Sequence, residues 1–267
     1  MTDAPSVSVS TAFRALLARD LYVLRHNLKE FIPRTVLQPL LLVFVFTYVF
    51  PKIGQGVGGG EAAEGFSTML VAGVLGSVIL FQGIQSVALP LVSEFGYTRE
   101  IEDRVLAPLP VELVAVEKVV AGALQCLLAA LIVFPIAYFV PATPVNITYN
   151  WLILITFAPL ACVAAASLGL MFGTMFDPRN VPLLFGIIVV PLTFLGCIYF
   201  PWQSLEAIPW LQYLVLLNPL VYISEGFRAA LTPVPHMSLF AIYPVMFAFT
   251  GLFLWRGIAG FKRRVLS

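Results

Sequence analysis

Six stretches of this chain are apolar over about 20 residues each, the length an α-helix needs to cross the hydrocarbon core of a bilayer. They run Phe31–Phe50, Phe66–Val92, Val119–Val140, Trp151–Phe176, Val181–Phe200 and Ser238–Ile258. Lipid offers the backbone no hydrogen-bond partners, so a spanning segment must satisfy its own, and runs of this length do so as helices. The fold class that follows is an all-α membrane protein with six transmembrane helices. Only 11% of the residues are charged, against roughly 25% in soluble domains. The runs fill most of the 267 residues and leave no room for a soluble catalytic domain, so 1–267 reads as one transmembrane domain.

The segment before the first run, residues 1–30, has a different pattern. Phe13, Leu17, Leu21, Leu24 and Leu28 recur at helical spacing, and Arg14, Arg25 and Lys29 fall off that stripe. This is an amphipathic helix with basic residues. It suits the headgroup plane of a membrane, and a plain solvated helix is the alternative. Asp20, Glu30 and several basic residues precede any long apolar run, so no cleavable signal peptide is visible. The first span is expected to act as an uncleaved anchor.

The distribution of basic residues sets the expected orientation. Thirteen of the 15 Lys and Arg lie before or at the mouth of the first span, in the second-to-third and fourth-to-fifth loops, or at the C-terminal end. Only Lys52 and Arg228 fall on the other side. The excess of Lys and Arg in cytoplasmic loops places both termini in the cytoplasm. One stretch competes with this count. Ala207–Ser224 carries no charge over 18 residues. As a seventh span it would move the basic C-terminus outside. Pro209 and the Asn218-Pro219 pair interrupt it, so residues 201–235 read as an outer re-entrant helix pair. Asn218 would cap the second helix, with Pro219 at its first position. Trp202 and Trp210 would sit in the outer headgroup belt.

Chemistry is sparse. The glycine-rich 54–60 stretch lacks the Lys-Ser/Thr of a phosphate-cradling loop, and no such motif occurs elsewhere. ATP is therefore expected on a separate polypeptide, with no cofactor in this chain. Cys126, Cys162 and Cys197 lie inside apolar runs without metal-ligand spacing and read as small buried residues. No paired carboxylates, Ser/His pair or metal motif lies within the runs, which argues against a catalytic, proton-relay or redox site in this chain. Nothing calls for a nucleic-acid partner.

What stands out instead is the loop 93–118 between the second and third runs. Glu94, Arg99, Glu100, Glu102, Asp103 and Arg104 crowd a short helix that ends at Pro108-Leu109-Pro110. Phe95, Ile101 and Leu106 are candidate apolar knobs for a groove on a partner, and a solvated loop is the alternative. Asp177-Pro178-Arg179-Asn180 reads as a tight turn, or a second partner contact. Glu225 and Arg228, three apart, are a local helix pair or an outer gate together with Asn218 and Pro219. The span prolines (Pro33, Pro39, Pro90, Pro135, Pro159, Pro182, Pro191) are static kinks or hinges. Gly73 and Ser77, four apart, permit close helix contact, and a dimer face is one use for it.

The stretch Glu94–Gly122, with Arg99-Glu100, Arg104-Val105-Leu106-Ala107-Pro108-Leu109-Pro110 and Glu117-Lys118, resembles the cytoplasmic loop of type-2 ABC exporter membrane subunits. Phe200-Pro201 through Pro209-Trp210-Leu211-Gln212 to Asn218-Pro219-Leu220 is similar to that family's outer segment, and the N-terminal helix matches in place. Phe95-Gly96-Tyr97 and Ile101 depart from the family's Gly-Thr-x-Glu run. The family includes drug, polysaccharide and nodulation-factor exporters. The resemblance implies a permease in a bacterial inner membrane, made of two membrane subunits (two copies or a paralogue) and two ATP-binding subunits. The leading expectation is thus an exporter subunit for drug-like, lipid-linked or glycan cargo. A non-transporting membrane scaffold or assembly factor is the alternative.

Overall fold

The computed structural model of the chain describes residues 8–53, 61–98, 101, 104, 109–142, 145–177, 180 and 183–266. The 54–60 stretch, Arg99, Glu100, Glu102, Asp103, Leu106, Pro178, Arg179 and Pro182 lie outside the described residues. Among the described residues every regular element is helical.

Helix α1 (Val9–His26) begins at Ser8, whose hydroxyl accepts a hydrogen bond from the Thr11 amide and so satisfies one free donor of the first turn. Phe13, Leu17, Leu21 and Leu24 are half-buried, whereas Arg14 and Arg25 are exposed. Helix α2 (Leu28–Phe44) continues through a widened turn, Val45–Val49. Helices α3 (Glu61–Ser93), α4 (Val111–Phe139) and α5 (Trp151–Met175) follow. Next come the short α6 (Leu184–Val189 with Val190–Phe194), α7 (Pro209–Leu214), α8 (Pro219–Leu231) and α9 (Leu239–Val265).

Five helical stretches are long and apolar enough to span a membrane: Leu28–Val49, Gly65–Gly96, Val111–Phe139, Trp151–Met175 and Leu239–Val265. Pro209–Leu217 and Pro219–Leu231 form a pair bent by 96°, a broken span or a re-entrant loop. The pair makes six if it counts as one span. The break falls where Asn218 and Pro219 were expected to place it.

The described part of the Val181–Phe200 run is not one continuous 20-residue helix. Its helix stops at Phe194, and the apolar part Phe185–Phe194 extends only about 15 Å at 1.5 Å per residue. Leu195 leaves the helical region, and Cys197 adopts a left-handed φ of 52°. The segment can abandon helical hydrogen bonding because buried side chains take over its backbone groups. The Arg228 guanidinium donates to the Cys197 carbonyl at 2.8 Å, and Glu225 accepts from the Trp202 amide at 2.8 Å.

Helix α3 is the hub, with 89% of its most apolar window buried. Small residues let its neighbours approach: a Cβ on Gly83 would collide with the backbone of Ala165 on α5, and one on Gly169 with the Gly83 carbonyl. Gly73 is pressed against Ile198 of the same chain. The Gly73 contact is thus internal, which corrects its reading as part of a dimer face. Pro33, Pro39, Pro90, Pro135 and Pro159 all lie inside helices. The 177–180 turn is closed by the Asn180 amide donating to the Asp177 carbonyl at 2.9 Å.

Candidate functional site

Two buried ionic groupings lie in opposite parts of the chain's helices. The first joins α1, the end of α3 and the start of α4. Asp20 lies beside the apolar stripe of α1, and its carboxylate accepts from both Arg104 terminal nitrogens, the shorter bond being 2.8 Å. Lys118 Nζ donates to Glu94 at 2.6 Å and lies 3.5 Å from Asp20. Arg104 is also 3.5 Å from Glu94 and 3.7 Å from Glu117. Three acids therefore meet two bases. Glu117 is fully buried, and neither of its carboxylate oxygens has a hydrogen-bond partner among the described residues. Burial alone would raise the Asp20 carboxyl. Hydrogen bonds from Arg104 and Lys118, with their positive charges, outweigh it and hold the group below its ordinary value.

Other ion pairs collect at the same end. Lys262 on α9 donates to Glu112 at 2.6 Å, and Arg264 to Asp177 at 2.6 Å. Phe95 packs edge-on against Phe261, with Arg264 above its ring. Phe95 and the buried Ile101 thus face this chain's own core. They are not the exposed knobs the sequence suggested, because the intramolecular helix packing consumes their apolar surface. Of the six charged residues singled out in the 93–118 loop, the structure brings Glu94 and Arg104 together. Arg99, Glu100, Glu102 and Asp103 are among the residues it does not describe.

The second grouping holds the bent helix pair. Asn218 accepts from the Leu220 amide at 2.9 Å, and its amide donates to the Leu192 carbonyl of α6 at 2.7 Å. Pro219 opens α8 as expected. Glu225 accepts from Arg228 at 2.6 Å, from the Trp202 amide at 2.8 Å and from the Met237 amide at 2.7 Å. Both ionic side chains are 0% exposed. The pair therefore ties three chain segments to α8 and does more than link two turns of one helix.

The sequence reading missed Asp20, Glu117 and Lys118 as members of one cluster. A signal was present: Glu117-Lys118 places two charges directly at the edge of the third run, and Asp20 is the only acid on α1. It also missed a polar groove. A cavity of about 520 Å³ lies between α1, α2, α3 and α4, and a second of about 160 Å³ continues along α2 and α3. Arg34, Gln82 and Gln85 line both. Among the described residues, no cluster of three or more His, Cys, Asp or Glu could hold a metal ion.

Comparison with known proteins places this arrangement. The chain is 26% identical over 253 residues to "Inner membrane transport permease YadH" of Escherichia coli K12, covering 91% of this chain and 93% of the relative. The Shigella flexneri protein of the same name matches to the same extent. Residues 11–232 match the ABC-2 type transporter family. That match spans α1 through α8 and takes in both ionic groupings, and with it the chain belongs to the ABC-2 type transporter family, as a membrane subunit of an ABC transporter.

Proposed function

We propose that the chain is the permease of an ATP-driven exporter, energised by a separate nucleotide-binding subunit and moving a drug-like, lipid-linked or glycan cargo out of the cytoplasm. It works beside a second membrane subunit, a copy or a paralogue, with both termini cytoplasmic in a bacterial inner membrane. One observation carries the reading. The Asp20–Glu94–Arg104–Glu117–Lys118 cluster bolts α1 to the segment between the second and third spans, at the end where the charged residues gather. A push on the 99–103 stretch, next to Arg104, reaches α1, α3 and α4 together through this cluster. The motion would open a path between two membrane subunits. Glu94 and Arg104 act here as internal fasteners, leaving Arg99, Glu100, Glu102 and Asp103 to meet the partner. Glu225, Arg228, Asn218 and Pro219 brace the outer end of the path.

The test is co-purification and reconstitution. An ATPase subunit should accompany the chain in stoichiometric amount, the purified chain alone should hydrolyse no ATP, and export should need both. Absence of any ATPase partner favours the scaffold reading. Reporter fusions at Gly58, Asn146 and Glu206 should read outside, and those at Glu102 and Ser267 inside. A C-terminal fusion reading outside overturns the orientation.

A further inference from the structure

The larger cavity is lined by polar side chains from four helices. The Asn27 side chain makes no capping hydrogen bond at the elbow between α1 and α2. Gln82 spends its oxygen on the Thr35 hydroxyl at 3.4 Å and keeps its amide hydrogens. Gln85 and Gln125 also line the space. Carboxamides lining a space inside a helical membrane bundle need water or a ligand to meet them, since hydrocarbon cannot.

Charge narrows the ligand. Asp20, Glu94, Arg104 and Lys118 on the floor neutralise one another, and Arg19, which also lines the cavity, is already engaged in a contact of its own. Glu30 and Arg34 remain at the mouth, both exposed and both lining the cavity. Four residues apart, they lie on one face of α2, within about 6 Å of each other at Cβ. The mouth thus offers one carboxylate beside one guanidinium. That is the complement of a zwitterion, not of a net anion. Both residues lie in the first two turns of α2, about 3 and 9 Å above its start at 1.5 Å per residue, the depth of a headgroup layer. Leu37 and Leu41 continue the same face of α2 toward the bilayer centre, and they are 60% and 53% exposed. A zwitterionic head with acyl chains rising above it matches this order of groups.

We infer that the cavity between α1, α2, α3 and α4 binds the headgroup of a membrane phospholipid bearing both a phosphate and a primary ammonium, of the phosphoethanolamine class. The Arg34 guanidinium and the amides of Gln82, Gln85 and Gln125 donate to the phosphate. The ammonium donates to Glu30. A trimethylammonium head has no N–H to give Glu30, and of the cavity-lining residues only Phe31 is aromatic, so no cage replaces that bond. The site is independent of what the protein exports.

The experiment is native mass spectrometry of the full chain, purified in detergent with any accompanying ATPase subunit. It is titrated in parallel with dioleoyl phosphatidylethanolamine, phosphatidylcholine and phosphatidylglycerol, and with free phosphoethanolamine and inorganic phosphate. The ethanolamine lipid is expected to be retained about fivefold over the other two lipids, and the soluble compounds are expected not to be retained. Glu30→Gln should abolish the preference while keeping a bound phospholipid, which also reports an intact fold. Arg34→Gln should lower retention of all three lipids by about fivefold to tenfold, and Arg34→Lys should recover part of it. Equal retention of the three lipids by the unaltered protein overturns the proposal. So does retention of free phosphoethanolamine or phosphate as strong as that of the lipid, or unchanged binding in Arg34→Gln.

Discussion

The two buried ionic groupings are built from similar side chains and differ in how completely they are satisfied. At the bent helix pair, Glu225 accepts three hydrogen bonds, and Arg228 is shared between Glu225 and the Cys197 carbonyl, with its Nε alone left without a partner among the described residues. At the other grouping, Arg104 and Lys118 are distributed over Asp20, Glu94 and Glu117, and Glu117 is left without a hydrogen bond among the described residues. A pair held from three chain segments has one good arrangement. An acid-rich cluster with near alternatives at 3.5 and 3.7 Å has two: Arg104 on Asp20, or Arg104 on Glu117 with Lys118 on Asp20. The first grouping suits a fixed brace and the second suits a moving joint.

The comparison breaks most visibly at the brace. Arg228→Ala or Glu225→Ala should destabilise the solubilised protein by about 3–5 kcal/mol, because each leaves a buried charge uncompensated. Thermal unfolding followed by helical circular dichroism measures this, and a loss under 1 kcal/mol would remove the distinction. Arg104→Ala should have a smaller effect on unfolding and a larger one on function: transport falls while partner-stimulated ATP hydrolysis persists. Glu117→Gln removes the charge that lacks a hydrogen bond, so unfolding stability should be unchanged or raised while coupling changes. A strong destabilisation there would mean that Glu117 is as firmly paired as Glu225.

The smallest effect is pH-dependent. The Asp20 carboxyl is held below its ordinary value of 3.8, so its contribution is complete above that pH. It is lost only as the pH falls through the lowered value. Proteolysis of α1 should therefore accelerate as the pH falls below about 3.8, and Asp20→Asn should remove that step.

Much of the helical framework was legible in the sequence because lipid allows few alternatives. An apolar run of sufficient length becomes a helix, and Asn218-Pro219 broke the outer segment where a cap and a first-turn proline must. The extent of the helix in the Val181–Phe200 run was not legible, because its composition is that of a continuous span while its helix length is set by long-range partners. Gly196 packs so closely on Leu220 that a Cβ would collide with it, and Arg228 replaces a helical donor for the Cys197 carbonyl. Local pattern carries none of that. The 93–118 loop was visible as a dense run of charge. Which of its charges turn inward was not, because Asp20 lies 84 residues from Arg104 in the chain. Phe95 and Ile101 looked available for a partner for the same reason: what covers them comes from elements distant in sequence, such as Phe261.

The central claim is that the 93–118 segment transmits the work of a separate ATPase. It is tested most directly by reversing Glu100 and Glu102 to Lys together and measuring cargo movement and ATP hydrolysis in the same reconstituted complex. The account predicts normal membrane insertion with transport lost, either because the ATPase subunit is released or because its hydrolysis no longer responds to cargo. Full transport with an ATPase subunit that co-purifies normally would contradict it.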